Sequence, residues 1–128
     1  MTKRTRSHST SRDYPRTARL NRLFQQILAE ELELIDDDRL EMVTIMLVDC
    51  EADLRRATVF YDTLAGNDDD EAVLAALAEA RPRLQGAIGR QARVKRTPEL
   101  IFRPDEVARG AARLEEVLRS IRDDDVDD

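Results

Sequence analysis

The chain has 128 residues, of which 41% are hydrophobic and 38% are charged, and its formal net charge is -6. This length favours a single domain with tails, and no apolar run is long enough to span a membrane. The basic N-terminus lacks the apolar segment of a secretory signal, and the single cysteine excludes an internal disulfide. Together these features predict a cytoplasmic protein.

The charge is sorted into blocks along the chain. Residues 1–22 and 81–103 each carry +6, whereas residues 23–80 carry -13 and residues 104–128 carry -5. Two separated basic blocks favour an anionic partner in spite of the acidic total, because a local field attracts phosphate. Arginine outnumbers lysine 19 to 2, which favours bidentate contacts with phosphate groups.

The N-terminal part predicts an arm followed by a helix. Residues 1–15 are polar and basic without periodicity, which is typical of a disordered arm. From residue 17, apolar side chains recur at three- and four-residue steps, which predicts a helix that ends before the acid run at 36–38. Glu31 falls inside the apolar stripe of this helix, and nothing in the pattern accounts for it.

Two apolar, β-branched segments follow the first helix. Residues 42–50 and 56–64 each predict a strand, and the short connection between them predicts an antiparallel hairpin. Cys50 lies in the first strand and is expected to be a buried small hydrophobe. One face of the second strand is formed by Ala57, Val59 and Tyr61.

The second half predicts three helices and one strand. A helix starts near Asp70, Pro82 interrupts the pattern, and a short helix runs over 83–91. Residues 93–105 predict a third strand at a sheet edge, where the missing N–H of Pro98 is tolerated. A final helix and a disordered acidic tail over 123–128 complete the chain. The side chains expected to face inward from the final helix are Val107, Ala111, Leu114, Leu118 and Ile121.

The predicted order is α-β-β-α-α-β-α. It describes an α+β domain over residues 16–122, with helices packed on one face of a small three-stranded sheet. The other face of such a sheet is left in contact with solvent, where Phe60 would be an exposed aromatic if Tyr61 faces the core.

No motif indicates bond chemistry or a metal site. Three consecutive acids, as at 36–38 and 68–70, point in different directions, so we expect solvated turns and helix caps there. The sequence contains one histidine and no nucleophile with a base, so no catalytic residue, metal or cofactor is predicted. Residues 86–89 read GAIG and match a GxxG nucleic-acid clamp, but their position favours glycines within or ending a helix.

Basic residues gather at three places. A merely solvated surface is the alternative for the first helix and the third strand, and a simple proline stop between two helices is the alternative for the break. The break at Ala80, Arg81 and Pro82 would present helix amides and two arginines to a phosphate. We predict that the cations of the first helix and of the third strand converge into one basic face. The candidate RNA-binding residues are Arg16, Arg19, Arg22, Arg81, Arg83, Arg90, Arg93, Lys95 and Arg96.

Several segments, taken in order, resemble the bacterial ribosome-binding factor A family. The stretch VTIMLVDCEADLRRATVFYDTL is similar to the hairpin of the family, and RTPELIFRPD is similar to its R-x-x-P-E-L-x-F-x-x-D. Gly110 and Arg113-Leu114 resemble its G-x-R-[IL]. This chain departs from the family at Lys95, where the family has arginine, at Phe60, where it has tyrosine, and at Pro82, where its Ala-x-Gly kink has glycine.

The resemblance implies a type II KH-like fold in which the kink replaces the usual GxxG loop. It also implies binding to 16S rRNA and to the free small (30S) ribosomal subunit, with assistance in rRNA maturation near the 5′ end. We expect a monomer that is not an enzyme and needs no cofactor or membrane. The alternatives are a protein-interaction module that pairs through its sheet edge, a nuclease, and an acidic tail that covers the basic face as a self-inhibitor.

Overall fold

A computed structural model describes the backbone of residues 2–64 and 66–127, and the side chains of residues 17–64, 66 and 68–122. Two short 3₁₀ turns, Asp38–Leu40 and Gly66–Asp69, precede β1 and α2. The main elements in chain order are α1 (Thr2–Glu33), β1 (Val43–Cys50), β2 (Arg56–Thr63), α2 (Asp70–Gln91), β3 (Glu99–Pro104) and α3 (Glu106–Asp127).

The three strands form one mixed sheet in the order β1-β2-β3. β1 and β2 are antiparallel, with Val48 opposite Val59 and an irregularity between Ile45 and Leu47. β2 and β3 are parallel, with Val59 opposite Phe102. The predicted hairpin and the α+β class are therefore confirmed, and β3 is an edge strand as expected.

The core lies between α1, α2 and one face of the sheet. Alternate strand residues point inward, because successive side chains on a strand face opposite sides. Val48, Val59 and Tyr61 are fully buried there, and Cys50 is buried as predicted. On the helices, the three-to-four residue periodicity of apolar positions brings Phe24 of α1 and Leu77, Leu84 and Ile88 of α2 onto this face.

Amide side chains from the helices form hydrogen bonds with backbone groups along both edges of the sheet. On the β1 edge, Asn21 Oδ1 accepts a hydrogen bond from the Cys50 N–H at 2.9 Å. Gln25 Nε2 donates to the carbonyl oxygens of Ile45 and Met46, each at 3.3 Å. On the β3 edge, Gln85 Oε1 accepts from the Leu100 N–H at 3.0 Å.

Pro82 does not end a helix, which corrects one element of the predicted order. α2 runs without interruption from Asp70 to Gln91, so the chain has one helix where two were expected. Proline removes one N–H and leaves the carbonyl of Ala78 without its usual donor. Packing of Leu77, Leu84 and Ile88 on both sides of Pro82 holds the helix together against this local preference.

Helical backbone extends into both segments that we expected to be disordered. α1 begins at Thr2, within the basic arm over 1–15, and α3 ends at Asp127, within the acidic tail over 123–128. A helix that has nucleated on a packed segment adds further residues at little cost, so the polar composition of a flanking segment does not forbid it. The side chains of both segments lie outside the described residues.

The expected inner face of α3 is in fact exposed. Val107 is 84% exposed, Leu114 is 60% exposed and Ile121 is 52% exposed. Among the described side chains of α3, the buried one is Arg109, on the opposite side of the helix at 100° per residue. Its guanidinium bonds Asp62 Oδ1 at 2.8 Å and Asp70 Oδ2 at 2.6 Å, so charge pairing instead of apolar packing orients this helix.

Candidate nucleic-acid interface

One groove collects cations that are far apart in the sequence. Its volume is about 610 Å³, and we call it the cationic groove. It is lined by Arg19, Leu20 and Leu23 of α1, Asp53 and Leu54 of the β1–β2 turn, and Arg93, Val94, Lys95 and Arg96 after α2.

The chain after α2 is irregular, and this places its cations beside α1. α2 ends at Gln91, and β3 begins only at Glu99, so residues 93–98 are not part of the strand that the sequence predicted. Pro98 is buried directly before β3, where it lacks a donor and favours an extended residue before it. Gly89 lets this connection pass close to α2, because a Cβ there would lie 3.2 Å from Thr97 Oγ1.

Leu54 occupies an unusual backbone conformation at the edge of this groove. Its φ is +60°, in the left-handed region where a residue other than glycine costs about 1–2 kcal/mol. The Leu54 N–H donates to the Glu51 carbonyl at 2.9 Å, which closes the turn between β1 and β2. The side chain packs against the core and also lines the groove.

The cations of the groove are available to an external anion. Within residues 17–122, the ion pairs involve Arg39, Arg55, Arg56, Arg83 and Arg109, and none involves Arg19, Arg93, Lys95 or Arg96. Asp53 is the acid at the rim, and its Oδ1 accepts from the Arg55 N–H at 3.0 Å. The groove therefore presents four cations and one carboxylate around an apolar floor.

Two further predicted cations, Arg22 and Arg90, lie outside the lining of this groove. Arg22 lines a neighbouring depression with Asn21, Gln25 and Asp49 on the β1 side of α1. Arg90 is exposed in the last turn of α2. The side chain of Arg16 lies outside the described residues. The structure thus brings Arg19 together with Arg93, Lys95 and Arg96. Arg22 lies on a different side of α1, which faces β1.

The predicted kink at residues 80–82 lies within α2 and away from the cationic groove. Ala80 is half-buried against the core, and the guanidinium carbon of Arg81 lies 5.7 Å from the centre of the Phe102 ring. Arg83 Nε donates to Glu31 Oε2 at 2.7 Å, which explains the acid in the apolar stripe of α1. RNA contacts by Arg81 and Arg83 stay predictions.

Other motifs have structural positions in the described part of the chain. Gly86 and Gly89 lie within α2, as the alternative to a GxxG clamp predicted. Phe60 is half-buried on the outer face of the sheet, opposite to Tyr61. Among the described residues, no three His, Cys, Asp or Glu side chains are grouped to hold a metal, and no helix has the length and apolar content of a membrane span.

The acid runs are engaged in local contacts. Asp37 caps the turn at Asp38–Leu40, and the hydrogen bonds from Arg39 hold the pKa of its carboxyl below the ordinary value. Asp70 accepts from the Tyr61 hydroxyl at 2.9 Å and from Arg109. The hydrogen bonds from Arg109 are the main reason why the pKa of Asp70 is lowered.

Known proteins of one family are similar to this chain. A protein from Rubrobacter xylanophilus described as ribosome-binding factor A is 38% identical over 113 residues, which cover 88% of this chain and 92% of that protein. A protein of the same description from Corynebacterium kroppenstedtii is 42% identical over 118 residues, which cover 88% of this chain and 76% of that protein.

Solved structures agree with this relationship. The crystal structure of ribosome-binding factor A from Thermus thermophilus matches with a TM-score of 0.63 and 32% identity, over 68% of this chain and 93% of that one. Coordinates of the Thermus thermophilus factor fitted into a cryo-EM map of a 30S complex match with a TM-score of 0.55 and 32% identity, over 64% of this chain and 87% of that one. The family profile described as ribosome-binding factor A matches residues 16–118, and this chain therefore belongs to the ribosome-binding factor A family.

Proposed function

We propose that this protein binds the free small (30S) ribosomal subunit through 16S rRNA and assists maturation of that RNA near its 5′ end. Membership of the family supports this role, as does the likeness to a relative whose coordinates were fitted into a 30S complex map. We further propose that it acts in the cytoplasm as a monomer, holds an RNA conformation, and performs no bond chemistry.

The observation that carries the proposal is the convergence on one groove of four cations that form no ion pair with any described side chain. Arg19 belongs to the first basic block, whereas Arg93, Lys95 and Arg96 belong to the second. Unpaired guanidinium groups form charge-assisted hydrogen bonds with phosphate, which are about twice as strong as neutral ones. The acidic block between these two basic blocks would repel RNA from other surfaces and so orient the protein on its target.

The salt dependence of binding to purified 30S subunits tests this proposal. With roughly six phosphate contacts, the logarithm of the binding constant should fall with the logarithm of salt concentration at a slope of about -4 for single-stranded RNA. Titration of fluorescently labelled protein with subunits over a range of potassium chloride concentrations measures this slope. A slope near zero would show that phosphate contacts do not carry the binding.

A triple charge reversal locates the contact surface. Replacing Arg93, Lys95 and Arg96 with glutamate should weaken subunit binding more than about a hundredfold, because each charge-assisted contact contributes on the order of 1 kcal/mol or more. The matched control reverses Arg113, Arg119 and Arg122, which are exposed on α3 and change the net charge by the same amount. Equal losses in both variants would assign the effect to net charge instead of to the groove.

The edges of the sheet argue against the alternative of a module that pairs through an edge strand. An incoming strand needs free N–H and C=O groups. Asn21 and Gln25 already form hydrogen bonds with such groups on β1, and Gln85 accepts a hydrogen bond from the Leu100 N–H on β3. Pro104 offers no N–H on β3. Self-association without a salt-dependent response to 30S subunits would favour this alternative over our proposal.

A further inference from the structure

We infer that the cationic groove receives an unstacked nucleobase of single-stranded RNA on its apolar floor, while the neighbouring phosphates contact its rim. This inference rests on the proposed function and names the form of RNA that the site takes. Four cations would attract any polyanion, so a preference for an unstacked base must come from the apolar surface beneath them.

The floor of the groove is aliphatic and fixed in place. Leu20, Leu54 and Val94 are half-buried and pack against the core, so they form a firm surface. Leu23 is 38% exposed and extends this surface toward solvent. This base has no side-chain donor for a phosphate, whereas it offers an apolar surface to the flat face of a ring.

The size of the groove suits a small organic group. Its volume of about 610 Å³ lies within the range of roughly 300–1,000 Å³ that is typical of small-molecule sites. A groove of this size admits one base with its ribose and leaves the flanking phosphates at the rim. There, Arg19 lies on α1, and Arg93, Lys95 and Arg96 lie on the connection before β3.

The backbone conformation of Leu54 is a second indication that the floor of the groove is a ligand site. A turn that needs a left-handed residue is most easily made with glycine, which has no Cβ. Here a leucine is held at φ +60°, and its side chain contributes to the groove. Strained residues of this kind cluster at ligand sites.

The rim also carries a carboxylate that accepts hydrogen bonds, which a site that binds only anions would lack. Asp53 lines the groove among the cations; its Oδ2 lies 3.8 Å from Arg55 Nε, and its side chain is 58% exposed, which leaves room for a further hydrogen bond. A carboxylate accepts hydrogen bonds from the N–H groups on a base edge. In a duplex these edges are paired and the base faces are stacked, so only an unpaired base can reach both Asp53 and the floor.

Binding of defined RNA probes tests the inference. The probes are a 12-nucleotide single strand, the same strand with abasic ribose at every position, and the duplex made with its complement. We expect the intact single strand to bind at least about fivefold more tightly than either of the others, because burying roughly 40 Å² of the apolar face of one base contributes about that much. Equal affinity for the intact and abasic strands would overturn the inference and leave the groove as a phosphate site only.

A substitution in the floor shows where the base dependence arises. Leu23→Gln keeps size and helix propensity but makes the floor polar, so it should remove most of the difference between intact and abasic strands. The difference should fall because the intact strand binds less tightly. Leu114→Gln is the matched control, because this leucine is 60% exposed on α3 and lies outside the groove. Loss of base dependence in the control alone would place the base elsewhere and overturn the inference.

Methyl NMR of the unmodified chain provides a measurement that needs no variant. The methyl signals of Leu23, Leu54 and Val94 should shift with the intact strand and not with the abasic strand. Binding to 30S subunits is measured in parallel, so that retained subunit binding without base dependence contradicts this inference alone. If the chain shows neither base dependence nor binding to 30S subunits, the proposed function is contradicted as well. If an acidic peptide with an apolar side chain shifts these methyls and RNA does not, the groove binds protein instead.

Discussion

Glu31 of α1 and Arg83 of α2 are joined by a 2.7 Å contact between Oε2 and Nε, at a point where the two helices otherwise meet through apolar side chains. The Glu31 side chain is only 10% exposed, whereas that of Arg83 is 48% exposed. The acid therefore depends on its partner more than the arginine does, because a buried carboxylate without a hydrogen bond is costly.

Removing Arg83 should destabilise the protein more than replacing both members of the pair. We expect Arg83→Met to lower the free energy of unfolding by about 1–2 kcal/mol, because it leaves a mostly buried carboxylate unpaired. Glu31→Leu combined with Arg83→Met should recover most of this loss, since apolar replacement of a buried pair is often neutral. Urea denaturation measures both values. A larger loss in the double variant than in Arg83→Met would contradict this account of the pair.

Pro82 in the interior of α2 should cost stability that alanine restores. Proline in a helix interior is about 3 kcal/mol less favourable than alanine, and the exposed side chain of Pro82 makes no large packing contribution. Pro82→Ala should therefore raise the free energy of unfolding by about 1–3 kcal/mol, measured by thermal unfolding. Pro82→Gly, which matches the glycine of the related kink, should stabilise less than alanine by about 1 kcal/mol. A destabilising alanine would show that the packing of α2 depends on the backbone geometry that Pro82 imposes.

Arg109 should contribute to stability through its charge pairs. Its side chain is 7% exposed, whereas those of Asp62 and Asp70 are 32% and 21% exposed, so these acids are partly hydrated. We expect Arg109→Met to cost about 2–3 kcal/mol, somewhat below the value for a fully buried pair. Arg113→Met, an exposed change on the same helix, should cost less than about 0.5 kcal/mol. Similar losses in the two variants would remove the special role of Arg109.

The same contact predicts a pH dependence. Hydrogen bonds from Arg109 hold the pKa of Asp70 below its ordinary value of 3.8 in the folded state. A carboxyl with a depressed pKa contributes stability that is present above the unfolded value and is lost as pH falls through the folded value. The free energy of unfolding should thus decline below about pH 4, and Asp70→Asn should reduce that decline. An identical acid profile in the variant would exclude Asp70 as a cause.

The strands and the core of the hairpin could be predicted from sequence because their signals are local. Side chains alternate inward and outward from Ala57 to Tyr61, and burial follows this alternation. The convergence of Arg19 with Arg93, Lys95 and Arg96 was also predicted, although it is a tertiary feature. That prediction came from the two separated basic blocks, residues 1–22 and 81–103, which form one basic surface only if the fold brings them together.

The features that were mispredicted depend on contacts that local patterns do not contain. The apolar stripe of α3 has the correct period for a buried face, but Arg109 on its other side finds two acids, and this pairing decides which side turns inward. Pro82 was expected to stop a helix, and packing on both sides overrides that preference. The floor of the groove depends on the left-handed turn at Leu54, for which a leucine gives no signal in sequence.

The amide groups of Asn21, Gln25 and Gln85 have a consequence for how this protein behaves when it is abundant. With the margins of the sheet already satisfied from within, a neighbouring copy finds few backbone partners there, and stacking into ribbons gains little. If the protein is monomeric, as we propose, raising its concentration should therefore not lead copies to associate through the sheet edges.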